Sequence, residues 1–196
     1  MKIIFINKKK TTVFIITLIL MISMFAFQKI INNNMKMTSL MQSNIKNLKE
    51  YKALDGVIKY KLPEDWITEE KKFEESEIIY HNEFESKDLK VHGFIQVWNI
   101  DYNIKEFLEN SKAISEKQNK ISDYTMENID VNNNPAYHID YIIYNNQGKS
   151  FKCHEYFLNK DNKIIRFSFF VKEDKFKENM PTIFKNIVST LKYKKN

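Results

Sequence analysis

Thr11 to Gln28 are 18 consecutive residues without a charge, mostly Ile, Leu, Phe, Val and Met, and no face of this run is polar. A helix through it would be about 27 Å long, close to the hydrocarbon thickness of a bilayer. Lys8, Lys9 and Lys10 lie just ahead of it, which orients the N-terminus toward the cytoplasm and all that follows toward the outer side. Signal-peptide cleavage after Ala26 would put Met24 at −3, where a small residue is wanted, and no cysteine follows to allow lipid processing. A retained single-pass anchor is the expectation, and secretion after cleavage is the alternative. The chain thus divides into a basic tail (1–10), a transmembrane signal anchor (11–31), a polar stalk (32–55) and an extracytoplasmic domain (56–196). Leu40, Met41, Ile45 and Leu48 give the stalk the spacing of a weakly amphipathic helix.

Beyond Gly56 the pattern changes to a period of two. Val57 to Leu62 alternates apolar residues with lysine and ends at Pro63, which predicts a half-buried strand. Glu77 to His81 and Lys90 to Ile100 follow as strands; in the second, Val91, Ile95 and Val97 share one face, with Phe94 and Trp98 on the other. The acid-rich stretch Glu69 to Ser76 between them reads as a solvated loop or a hairpin arm. Asn103 can cap a helix with Glu106 three residues on, and Ile104, Phe107, Leu108, Ser111 and Ile114 form one face. Four strands then succeed one another across short Asn- and Gly-bearing turns: Tyr124 to Val131, Ala136 to Tyr144, Lys149 to Leu158 and Lys163 to Val171. Turns this short require an antiparallel meander. A last apolar stripe from Phe176 to Leu191 predicts a helix whose main part starts with Pro181 at its first position. The fold class is α+β, a central antiparallel sheet with two helices packed on it.

The order of landmarks resembles the PsbP-like superfamily. Its domains open with a glycine, a short strand and Pro-x-x-Trp, here Gly56, Val57 to Leu62 and Pro63-Glu64-Asp65-Trp66. A mid-chain helix, the meander and a closing helix with a tail at Ser189-Thr190-Leu191 continue the likeness over residues 56–193. The resemblance implies an α/β/α sandwich acting as a binding or assembly module, without an enzymatic role or a cofactor.

Composition narrows the chemistry. Of 31 basic residues, five lie in residues 1–31 with no acid among them, so the net charge of +6 belongs to the N-terminus and the remainder is nearly neutral. That argues against nucleic-acid binding, which needs positive charge on the folded domain. One cysteine excludes a disulfide framework, and three glycines exclude a glycine-rich phosphate cradle. The wealth of lysine and asparagine beside a single arginine, Arg166, is the bias of an AT-rich, bacterial genome.

Few side chains stand out as candidate sites. His81 with Glu83, and His138 with Asp140, are two apart on predicted strands, so each pair shares a face; imidazole and carboxylate together are ligands for zinc or another divalent metal. Solvent-facing strand positions account for such pairs equally well. Cys153 and His154 are adjacent and so point to opposite faces, which makes a buried cysteine the expectation rather than a nucleophile with its base. Trp66 and Trp98 are the candidate anchors for an unknown protein partner, with a plug at one end of the sheet as the other role for Trp66. Two alternatives to a binding module remain: a small-ligand or lipid carrier using a Tyr- and Phe-lined pocket between sheet and helix, and a metal-dependent protein.

Overall fold

The computed structural model describes residues 15–24, 45, 47–74, 77–100, 103–145 and 147–194. The chain forms two compact units, Met1–Asn44 and Ile45–Asn196. In the first, residues 15–24 are helical and exposed. Among the described residues no helix is long and apolar enough to cross a membrane. The rest of the expected 11–31 anchor, the basic tail and residues 32–44 of the expected stalk lie outside the described residues.

The second unit contains two antiparallel sheets. Strands β1 (Leu48–Ala53), β2 (Ile58–Pro63) and β10 (Lys192–Tyr193) form a small sheet in the order β1-β2-β10. The large sheet has the order β3-β4-β5-β9-β8-β7-β6, from β3 (Ile67–Lys71), β4 (Ile78–Ser86), β5 (Val91–Asn99), β6 (Lys120–Asp130), β7 (Pro135–Tyr144), β8 (Ser150–Lys160) and β9 (Lys163–Lys172). The predicted meander is its β6-β7-β8-β9 half, and β5 joins β9 to extend it. Helix α1 (Ile104–Gln118) and helix α2 (Met180–Val188) complete the unit.

One face of the large sheet, the inner face, meets the small sheet and α2. Ile95, Val97, Ile165, Phe167 and Phe169 are buried there against Ile58, Tyr60 and Leu62 of β2 and against Met180, Ile183, Phe184 and Ile187 of α2. Phe184 stacks on Phe169 at 4.4 Å between centroids. A buried polar chain ties the sheets together: Asn82 Nδ2 donates to the Tyr60 hydroxyl at 2.7 Å, which lies 2.8 Å from the Tyr80 hydroxyl. Burial raises the pKa of both tyrosines, so they stay neutral and hydrogen-bonded. On the outer face, α1 covers one end, with Phe107 edge-on to Trp98 and Phe157. Gly93 is required where β5 passes β9, because a Cβ there would lie 1.9 Å from the Ser168 carbonyl oxygen.

Three expectations change. Residues 48–53, placed in a partly helical stalk, form β1: Tyr51 stacks on Tyr60 at 5.6 Å and the backbone pairs with β2 from Leu48–Pro63 to Ala53–Ile58. The folded unit therefore starts near Ile45 rather than at Gly56. Glu69 to Lys71 belong to β3, so the hairpin-arm reading of the acidic stretch holds for these residues. The closing helix is shorter than its apolar stripe: Phe176 lies ahead of it in extended backbone, and Ser189 and Thr190 turn their hydroxyls back onto the Lys185 and Ile187 carbonyls. The caps follow the sequence more closely. Asn103 Oδ1 accepts from the Lys105 amide at 2.7 Å, and a proline opens α2.

Candidate functional site

On the inner face, β7 and β8 bring three potential ligands together. Asp140 is paired with His154, and His138 with Tyr156, so His138, Asp140 and His154 share that face. His138 Nε2 lies 3.2 Å from His154 Nδ1, and one ligating atom from each of the three residues lies within 4.8 Å of the others. The two imidazoles are nearly parallel, 7° apart with centroids at 5.4 Å, so one N–H···N hydrogen bond joins them. Thr125 Oγ1, across from Asp140 on β6, donates to Asp140 Oδ2 at 2.8 Å. His154 is buried and stacks on Phe176; His138 lies over the Tyr156 ring at 4.6 Å. Burial and the neighbouring His138 push the pKa of His154 down to about 4, and burial lowers that of His138 against the pull of Asp140 and Glu127. Both rings are therefore neutral at pH 7, the form that binds metals.

The pairing of His138 with Asp140 follows from their spacing; His154 does not, since it reads most directly with Cys153. Its place depends on cross-strand register, and counting back from the 145–149 turn would have set it opposite Asp140. Cys153 points to the outer face, away from His154, and burial pushes its thiol pKa up. That arrangement is a buried small side chain, not a thiolate with a base.

The other pair lies elsewhere. His81 and Glu83 are on β4 and face outward, four positions along the sheet from β7, so the two pairs do not converge. His81 Nε2 lies 3.2 Å from Glu83 Oε1, its Nδ1 lies 3.0 Å from Gln96 Nε2, and Lys71 Nζ donates to Glu83 Oε2 at 2.6 Å. The bond from Lys71 holds the Glu83 carboxyl below the usual carboxylate range. Protein groups already engage both ring nitrogens and both carboxylate oxygens, so this pair is a satisfied polar cluster.

Neither tryptophan is an exposed anchor. Trp66 is buried, stacked on Phe84 at 5.1 Å, and plugs the β3 end of the core. Trp98 packs on Phe107 beneath α1, and its Nε1 donates to Gln96 Oε1 at 3.2 Å. Two concavities flank this region on the outer face. Under α1 a cavity of about 210 Å³ is lined by Trp98, Tyr124, Tyr141 and Phe157 and by the ion pair Arg166–Glu155, at 2.5 Å. Ser168 Oγ donates to the same Glu155 oxygen, while Arg166 Nε is buried without a hydrogen-bond partner. Beyond the reach of α1, an open groove of about 470 Å³ runs over β3, β4, β5 and β9. Phe94 and Phe170 line it, His92 stacks on Phe170 at 5.4 Å, and Glu69, Glu83 and Glu85 rim it.

The antiparallel seven-stranded sheet with a helix on each face and a second small sheet makes an α+β unit whose fold is similar to that of solved structures. The solution structure of cyanobacterial PsbP (CyanoP) from Synechocystis matches with a TM-score of 0.54 at 12% identity, over 74% of this chain and 92% of that one. A crystal structure from Bacteroides thetaiotaomicron matches with a TM-score of 0.50 at 14% identity, over 75% of this chain and 48% of the other. No family model and no curated protein matches the sequence. The folded unit has a PsbP-like fold.

Proposed function

We propose that this protein is a membrane-anchored, extracytoplasmic, non-enzymatic module that binds a partner protein through the open half of its large sheet. The observation carrying this reading is the outer-face groove, with aromatic side chains rimmed by three glutamates and no lysine or arginine among its lining residues. Half-buried Phe94 and Phe170, with exposed Ile67 of the edge strand β3 beside them, suit a partner segment. With Glu83 already paired to Lys71, Glu69 and Glu85 on the rim favour one that carries Lys or Arg beside its apolar residues. The uncharged run 11–28 behind Lys8–Lys10 supports the anchor and its orientation. A photo-reactive phenylalanine analogue placed at Phe170 in the full-length protein, in intact membranes, tests the groove. The expected result is a crosslink to a cationic, apolar segment, weakened by Glu85→Lys and absent when the analogue replaces exposed Lys52. Equal crosslinking from both positions, or none from Phe170, refutes it. Protease added to intact protoplasts should digest the C-terminal unit, and its survival there would overturn the orientation.

The cavity under α1 favours a second reading, a small-ligand carrier. At about 210 Å³ it falls below the usual range for ligand pockets, roughly 300–1,000 Å³, so it suits a small molecule and not a two-chain lipid. Quenching of Trp98 fluorescence by a small aromatic ligand, abolished by Leu108→Trp filling the cavity, would support it; unchanged quenching in the filled variant would remove it.

A further inference from the structure

We propose that His138, Asp140 and His154 form a binding site for a divalent transition-metal ion, with Zn²⁺ the ion that fits best. Two imidazoles and a carboxylate are the nitrogen and oxygen donors of a zinc site with an open fourth position. The spacing is close to what such a site needs. Two ligands on one tetrahedral Zn²⁺, each about 2.0–2.1 Å from the metal, lie roughly 3.3 Å apart. The His138 and His154 nitrogens are already 3.2 Å apart, with the Asp140 carboxylate within 4.8 Å.

Preorganisation distinguishes this trio from a chance surface cluster. The ligands stand on adjacent, fully paired strands, so the backbone fixes their spacing. Phe176 and Phe184 pack against the His154 ring, and Tyr156 against that of His138. Thr125 orients the carboxylate from a third strand, as outer-shell partners orient metal ligands. Access comes from the side of His138 and Asp140, which are only half-buried. Glu127, paired with His138 across β6 and β7, sits on the same face and can supply an oxygen as the fourth ligand, leaving water as the other choice. Lys152 and Lys185 also act on the two histidines and oppose a cation, so the site needs its carboxylate to hold one. His81 and Glu83 lack this capacity because Gln96 and Lys71 already engage them.

The test is isothermal titration of ZnCl₂ into the full-length protein in detergent micelles, after stripping with chelator. One Zn²⁺ per chain is expected. Asp140→Asn and His138→Gln should each weaken binding by at least about tenfold, and Thr125→Val should weaken it by about tenfold, the size of an outer-shell effect. His81→Gln should bind as the wild type does. Asp140 and Thr125 lie toward solvent, so these variants should keep the wild-type circular dichroism, which is recorded alongside. Absence of Zn²⁺ binding by the wild type overturns the proposal. So does undiminished binding by folded Asp140→Asn and His138→Gln, or an equal loss in His81→Gln.

Discussion

Gly93→Ala should be among the most damaging single-methyl changes in the domain. The new Cβ would lie 1.9 Å from the Ser168 carbonyl oxygen and 2.7 and 2.9 Å from ring atoms of Phe84, whereas ordinary contact begins near 3.4 Å. Phe84 can turn aside at modest cost, but the carbonyl belongs to the backbone of β9. Reaching ordinary contact with it would part β5 from β9 by about 1.5 Å, which breaks the hydrogen bonds around the Gly93–Phe169 pair. Overpacking costs about 1–3 kcal/mol, and two lost ladder bonds add about 1 kcal/mol each. The sum, roughly 3–5 kcal/mol, is a large share of a typical stability of about 5–15 kcal/mol. Urea unfolding followed by tryptophan fluorescence reports on it directly, because Trp98 is on β5 and Trp66 stacks on Phe84. With a slope of about 2 kcal/mol per molar urea, the midpoint should fall by about 2 M. A midpoint shift below about 0.5 M in Gly93→Ala would show that the β5–β9 crossing is looser than the packing argument requires.

Glu155→Ala leaves the Arg166 guanidinium with little exposure and no carboxylate, and should cost about 3–5 kcal/mol in thermal or urea unfolding, with Glu155→Gln costing less. The pH dependence follows from His154. Its pKa is about 4 when folded against 6.5 unfolded, so the unfolded chain takes up the proton first. In chelator-treated protein, stability should therefore fall as pH drops from about 6.5 to about 4, by about 3 kcal/mol from this group, and then level off. His154→Phe should flatten that slope, and a slope unchanged by the substitution would assign it to other groups.

The parts of this fold legible in the sequence are mainly those with at least one face buried in the core. Strands β7 to β9 and the α2 stripe are read from their apolar residues because they pack against the core, whereas β6, an edge strand with no buried residue, is marked by the turn that follows it. β1 and β3 are edge strands of their sheets, and their exposed Lys49, Lys52, Glu69 and Glu70 give them the composition of solvated linkers. Only their pairing with β2 and β4 identifies them, and pairing is a property of two segments at once. The candidate site divides the same way. His138 and Asp140 lie two apart on one strand and are found by spacing alone, but His154 joins them through a hairpin register. The groove is least visible, since nothing in the spacing of Phe94 and Phe170 tells that α1 stops short of them.

The last stretch of chain returns to one of the first strands. Thr190 accepts the Lys61 amide through its hydroxyl, 129 residues away in sequence, and Lys192 and Tyr193 add a strand beside β2. While the polypeptide is being synthesised, β2 can pair with β1 yet must leave its opposite edge bare. The domain thus locks only after almost the whole unit has emerged, and until then that edge is where a chaperone, or a neighbouring unfinished copy, could take hold.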